Sequence, residues 1–196
     1  MTKALDFTSG YASRRPPMLG RNAVATSQPL AAQAGMKMLQ LGGNAVDAAI
    51  AAAMALTVVE PTGNGIGSDA FAIVWDGEKL HGLNASGRSP ASWHADLFAG
   101  KTAVPEIGWD AVTVPGAVSG WVALAERFGT LPLTTLAQPA IDYARNGFPV
   151  SPLIGHLWQR GYSKLKDQPG FSACFAPEGR APRVGEIFRN PEIGRA

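Results

Sequence analysis

The sequence predicts an α+β fold, and three observations carry the prediction. Two Ala-rich stretches at helical spacing are separated by a glycine pair, Gly42-Gly43. Two short apolar runs are joined by Asp76-Gly77-Glu78, a hairpin signal of the Asp-Gly type. Two further runs with helical periodicity then follow, after Pro115-Gly116 and after Pro132.

Met1 to Gly20 is mixed and Pro-containing and reads as an N-terminal arm, with residues 21–196 forming part of one domain. Arg21 to Ser27 alternates enough for a short strand. Pro29 suits the first position of a helix, where a missing N–H is no loss. Leu30, Ala34, Met38 and Leu41 then form one apolar stripe. Gly42 and Gly43 stop that helix, because glycine readily takes the left-handed conformation of a helix end. Asn44 is a good N-cap for the next one, and Asp47 in its first turn suits the helix dipole. The Ala-rich interior that follows is apolar on nearly every face, which predicts a buried helix ended by Pro61. Phe71–Trp75 and Lys79–Asn84 are the hairpin strands. The next helix, through about Phe128, is expected to present Val118, Trp121, Val122 and Ala125 on one side. Leu133 to Asn146 gives a further helix closed by Gly147, and beyond Gly161 the chain turns polar, Pro/Gly-rich and weakly periodic.

Composition narrows the function classes. The 196 residues suffice for a core, yet only 16% are charged, against roughly 25% in an average soluble domain. That shortfall predicts surface meant for burial against another part of the fold or another subunit. The longest apolar run, Ala45 to Val59, carries Asp47 and is too short for a bilayer. A net charge of +2 with scattered Lys and Arg argues against a nucleic-acid surface. The single cysteine, Cys174, excludes an internal disulfide. The first twenty residues lack an apolar h-region, which predicts a cytoplasmic protein.

The loop Gly63-Asn64-Gly65-Ile66-Gly67 lies between a helix and a strand, the reverse of the order a phosphate cradle needs, and is expected to be a tight turn with closely packed backbones. Asp69, just after it, serves either to stabilise the turn or to touch a substrate. Arg88, in Ser86-Gly87-Arg88-Ser89-Pro90, is either a solvated arginine or a guanidinium held for bidentate carboxylate binding. His81, His94 and His156 are dispersed with no ligand spacing, so no metal is expected. Thr134-Thr135 reads as capping chemistry rather than as a nucleophile. The five tryptophans are too evenly spread for a base-stacking platform and suit core and interface packing.

The run from Gln28 to Pro90, with Val112-Thr113-Val114-Pro115-Gly116 and Asn146-Gly147-Phe148-Pro149-Val150-Ser151, resembles the opening of the large subunit of γ-glutamyltransferases. Several motifs in one order are more specific than any single glycine loop. The resemblance implies the N-terminal-nucleophile hydrolase fold, a four-layer α/β/β/α sandwich of which this chain holds the N-terminal portion. It implies acyl transfer through a threonine freed by autocleavage in a later segment, so no catalytic residue falls within this chain. Glutathione or a related γ-glutamyl compound is the implied donor, and water, an amino acid or a peptide the acceptor. The implied partner is the protein's own small subunit, with a higher oligomer left open, and no cofactor or metal is implied. Arg88 matches the arginine assigned to the donor α-carboxylate, and the loop of Gly65, Gly67, Ser68 and Asp69 borders the active site. The chain departs from the commonest family wording at Ser68-Asp69-Ala70, where relatives carry further glycines. Two other readings stand beside this one: a glutaryl-cephalosporin-type acylase on the same scaffold, and a non-catalytic assembly fragment.

Overall fold

The computed structural model describes residues 20–196, so the expected arm at 1–20 lies almost wholly outside the described residues. Helices α1 (Pro29–Gln40) and α2 (Ala45–Val59) form an antiparallel pair. Gly42 takes φ 88°, and the amide of Gly43 donates back to the Met38 carbonyl at 2.9 Å, closing α1 as its glycine pair predicts. At Gly35 a Cβ would stand 2.9 Å from the Ala48 carbonyl oxygen, so its absence lets the two helices approach closely. The stripe of α1 is Ala31, Ala34, Gly35 and Met38, while Leu41 has left the helix and is 54% exposed.

Around α2 the core divides in two. Its C-terminal half, with Ala55, Val58 and Val59, meets Phe148, Ile154 and Trp158. Its N-terminal half, with Ile50 and Ala51, meets Met38, Ala117, Trp121 and Leu136. Fully burying side chains of this size contributes about 1.5–3 kcal/mol each, which explains why an Ala-rich helix can anchor the fold. Helix α3 (Ala117–Phe128) contributes Ala117, Gly120 and Trp121 to this core, whereas Val118 is 47% exposed. The expected stripe of Val118, Trp121, Val122 and Ala125 is therefore rotated: of these only Trp121 is buried, because Gly120 sets the contact with the hairpin. A Cβ at Gly120 would fall 2.8 Å from that of Ala85.

Strands β1 (Ala70–Trp75) and β2 (Leu80–Ala85) pair antiparallel, Trp75 opposite Leu80 and Ala70 opposite Ala85. Asp76 nucleates the turn, its Oδ1 accepting from the amides of Glu78 and Lys79 at 2.9 and 2.8 Å. One face of the hairpin rests on α3, and the other exposes Phe71, Ile73, Trp75 and Leu80. Arg21 to Ser27 joins no strand among the described residues, which corrects the expected strand: without a neighbour the segment has no ladder to form. Trp75 and Trp109 are also exposed, at 63% and 83%, so packing within this chain accounts for Trp121 and Trp158 and not for all five.

Helix α4 (Leu133–Asn146) has the expected limits and ends at Gly147, φ 93°. Thr134 and Thr135 lie inside its first turn; Pro132 occupies the N-cap without a side-chain hydrogen bond, so the capping role expected of the threonines is not found. The segment after it is more ordered than its weak periodicity predicts. Helix α5 (Pro152–Leu165) runs through Gly161, then α6 (Phe171–Phe175) and α7 (Pro191–Arg195) follow. A two-residue pairing of β3 (Phe148–Pro149) with β4 (Ile187–Phe188) ties that end back to the core. Among the described residues no helix is long and apolar enough to cross a membrane.

Candidate functional site

Three segments converge at the open end of the hairpin: the loop after α2, the turn after β2, and the residues that start α3. Ser68 joins the first to the third. Its carbonyl accepts from the amides of Gly116 and Ala117 at 3.1 and 2.9 Å, supplying the cap that α3 lacks from any side chain. Its hydroxyl donates to the Gly65 carbonyl at 2.6 Å, closing the turn. The Asp69 carboxylate makes no hydrogen bond or ion pair among the described residues, so the turn-stabilising role belongs to Ser68.

The second and third segments cross at two glycines. Gly87 has φ 78°, and a Cβ there would lie 1.9 Å from the Val114 carbonyl oxygen. At Gly116 a Cβ would lie 2.2 Å from the Ala85 carbonyl oxygen. The Val114 amide donates to the Arg88 carbonyl at 2.9 Å, so the backbone of Arg88 is fixed from both sides. Its guanidinium is exposed and has no ion-pair or hydrogen-bond partner among the described residues.

The expected turn is present, the Ser68 amide donating to the Gly65 carbonyl at 3.1 Å, but the close backbone packing expected at Gly65 and Gly67 is not. Neither takes positive φ, a Cβ at Gly67 would meet nothing within 4 Å, and one at Gly65 would meet only the Gly67 amide at 4.0 Å. The loop is open rather than closely packed. Gly87→Ala should therefore lower the free energy of unfolding by about 2 kcal/mol or more, through positive φ and the backbone clash, while Gly67→Ala should change it by less than about 0.5 kcal/mol. Denaturant unfolding of both variants checks the contrast.

A cleft of 240 Å³ opens beside this loop, lined by Thr57, Asn64, Gly65, Ser68, Asp69 and Trp121 among others. The structure thus gathers Gly65, Ser68 and Asp69 at one cleft, and Arg88 lies outside its lining, linked to it through residues 114–117. Elsewhere, His81 bridges the hairpin to α3. Its Nε2 lies 2.6 Å from Asp76 Oδ2 and its Nδ1 3.1 Å from Arg127 Nη2. Since guanidinium only donates, Nδ1 accepts and Nε2–H donates to the carboxylate. The turn amides and His81 hold the Asp76 carboxyl far below the usual range. His94 and His156 are exposed, and among the described residues no three His, Cys, Asp or Glu side chains gather as a metal site.

One polar centre exceeds what its sequence position suggests. Asp47 is fully buried. It closes a capping box by accepting from the Asn44 amide at 2.9 Å, and also accepts from the Thr130 hydroxyl at 2.5 Å and amide at 3.1 Å. Burial alone would raise its carboxyl pKa, but these bonds with the Leu131 amide outweigh it and hold the pKa below the ordinary value. Asn-x-x-Asp spacing is a legible signal for the box; the bonds to Thr130 have no local signal.

Comparison with known proteins agrees with this architecture. A Gamma-glutamyltranspeptidase family profile matches residues 31–196. The Glutathione hydrolase-like YwrD proenzyme of Bacillus subtilis (strain 168) is 39% identical over 173 residues, covering 87% of this chain and 33% of that protein. Among solved structures, the cephalosporin acylase from Bacillus halodurans superposes with a TM-score of 0.81 at 50% identity, covering 93% of this chain and 38% of that one. The Helicobacter pylori gamma-glutamyltranspeptidase does so with a TM-score of 0.85 at 28% identity, covering 92% of this chain and 54% of that one. The chain spans about a third of the length of the curated relatives it matches. Its mixed helices and strands are the N-terminal portion of the N-terminal-nucleophile hydrolase fold. On a profile match spanning residues 31–196 and shared structure, the chain belongs to the γ-glutamyltranspeptidase family.

Proposed function

We propose that the protein carrying this chain transfers a γ-glutamyl group from glutathione or a related donor to water or an amine. The carrying observation is Arg88: an exposed guanidinium without a partner among the described residues, on a backbone clamped by Gly87 and Val114. Such a group is prepared for a planar carboxylate, which a γ-glutamyl donor presents at its α-carbon. In this reading a threonine outside the chain, freed by autocleavage, attacks the γ-carbonyl carbon. The hydroxyl proton passes to the threonine's own amine, and the donor's C–N bond breaks as its amine leaves with that proton. Water or an acceptor amine then attacks the acyl carbon, its proton passes through the threonine's amine to the threonine oxygen as the ester C–O bond breaks, and the free hydroxyl is restored. The residues of this chain orient the donor, and the small subunit is the implied partner.

A second reading has its own support. The cephalosporin acylase shares 50% identity with the chain over the superposed residues. A glutaryl group keeps the carboxylate that Arg88 would bind and lacks only the α-amine. Measuring kcat/KM for γ-glutamyl and glutaryl anilides on the processed enzyme separates the two. Preference for the γ-glutamyl anilide is the expected result; preference for the glutaryl anilide would establish the acylase reading instead.

A further inference from the structure

A second opening, remote in sequence from Arg88, lies between α5, α6 and the Pro61-Thr62 turn. It encloses 420 Å³, within the roughly 300–1,000 Å³ typical of small-molecule sites. Its floor is apolar: Leu157, Trp158, Phe171 and Phe175. The Trp158 indole N–H donates to the Phe175 carbonyl at 3.0 Å and its ring is buried in the core, so it backs the opening while half-buried Phe171 and Phe175 face it. Arg160 and Lys164 stand on its rim, one helical turn apart on α5, both exposed and neither in an ion pair among the described residues.

Gly161, between them, lines the same opening. Glycine inside a helix is destabilising relative to alanine, because it loses more backbone freedom on folding. At Gly155, on the same helix, packing explains the glycine, since a Cβ would meet Val184 Cγ2 at 2.9 Å. At Gly161 nothing does: φ is not positive, and a Cβ would meet no atom within 4 Å. The missing side chain keeps the opening clear directly beneath two cations.

We infer that this opening is a binding site for a small anionic amphiphile, its apolar body on Phe171 and Phe175 and its carboxylate at Arg160 and Lys164. The site is separate from the donor site, and its test does not depend on that reading. Decanoate, below its micellar concentration, is titrated into the full-length protein by calorimetry, with decyltrimethylammonium of equal chain length as the charge control. Saturable binding of decanoate alone is expected. Arg160→Glu with Lys164→Glu should weaken it by about tenfold or more, as loss of charge-assisted contacts requires, and Gly161→Leu should abolish it. Gly161→Ala should raise the melting temperature, because helix propensity improves and nothing is displaced. Absence of decanoate binding, equal binding of the cationic analogue, or indifference to the charge reversal would overturn the proposal. A lower melting temperature in Gly161→Ala would overturn it too, by making that glycine structural.

Discussion

Arg88→Ala in the processed enzyme should lower kcat/KM for γ-glutamyl donors by about 30- to 5,000-fold, the equivalent of about 2–5 kcal/mol for truncating one side of a charge pair that donor binding takes out of water. The loss is expected without misfolding. What holds residue 88 in place is main chain, namely the Gly87 crossing and the Val114 amide on the Arg88 carbonyl, and the side chain makes no contact that folding needs among the described residues. Autocleavage should persist, since it involves no donor. Arg88→Lys should recover part of the loss, because an ammonium restores charge without the planar fork. The discriminating substrate is a 4-aminobutanoyl anilide, which keeps the γ-acyl chain and amine but lacks the α-carboxylate. Its turnover should be nearly the same in wild type and Arg88→Ala. If both substrates lost equally, Arg88 would be a structural residue and the donor assignment would fall.

How much of this was legible in the sequence depends on whether the signal was local. The α1–α2 hairpin was, because Pro29, Gly42, Asn44 and Pro61 each enforce a boundary through backbone chemistry within a few residues. The β-turn was, because the Asp76 carboxylate acts on amides two and three positions away. The buried face of α3 was not, since it is decided by where Gly120 lets Ala85 approach, a contact between distant segments. Residues 161–196 carry little periodicity because α6 and α7 span five residues each, too short for a repeat to show. At the site, the glycines singled out, Gly65 and Gly67, lie in open space. The glycines the geometry requires, Gly87 and Gly116, were read only as parts of motifs. A glycine needed for a crossing looks the same in sequence as one needed for nothing inside the chain.

Asp47 supplies the second large effect, on stability rather than turnover. Its carboxylate sits where α2 begins and α3 ends, reached closely because Gly43 and Gly129 carry no Cβ: one at either position would approach a carboxylate oxygen to 3.0 Å. Asn44 strengthens the same junction, its side-chain amide donating to the Phe128 carbonyl at 2.6 Å. Asp47→Ala removes the acceptor for the amides of Asn44, Thr130 and Leu131 and for the Thr130 hydroxyl. Leaving several buried donors unpaired should cost about 3 kcal/mol or more. Asp47→Asn should recover only part, since its NH₂ group points a donor at donors. The pH dependence follows from the lowered pKa. A carboxyl with a folded pKa below its unfolded value contributes stability that is fully present above the unfolded value, near 3.8, and is lost as pH falls through the folded one. Unfolding free energies of wild type and Asp47→Asn should therefore run parallel above about pH 5 and converge below it. A constant difference down to the acid limit would show that the carboxylate's charge has no part in the junction. Thr130→Val tests the partner: combined with Asp47→Asn it should cost less than the sum of the two single changes, because both remove the same bond.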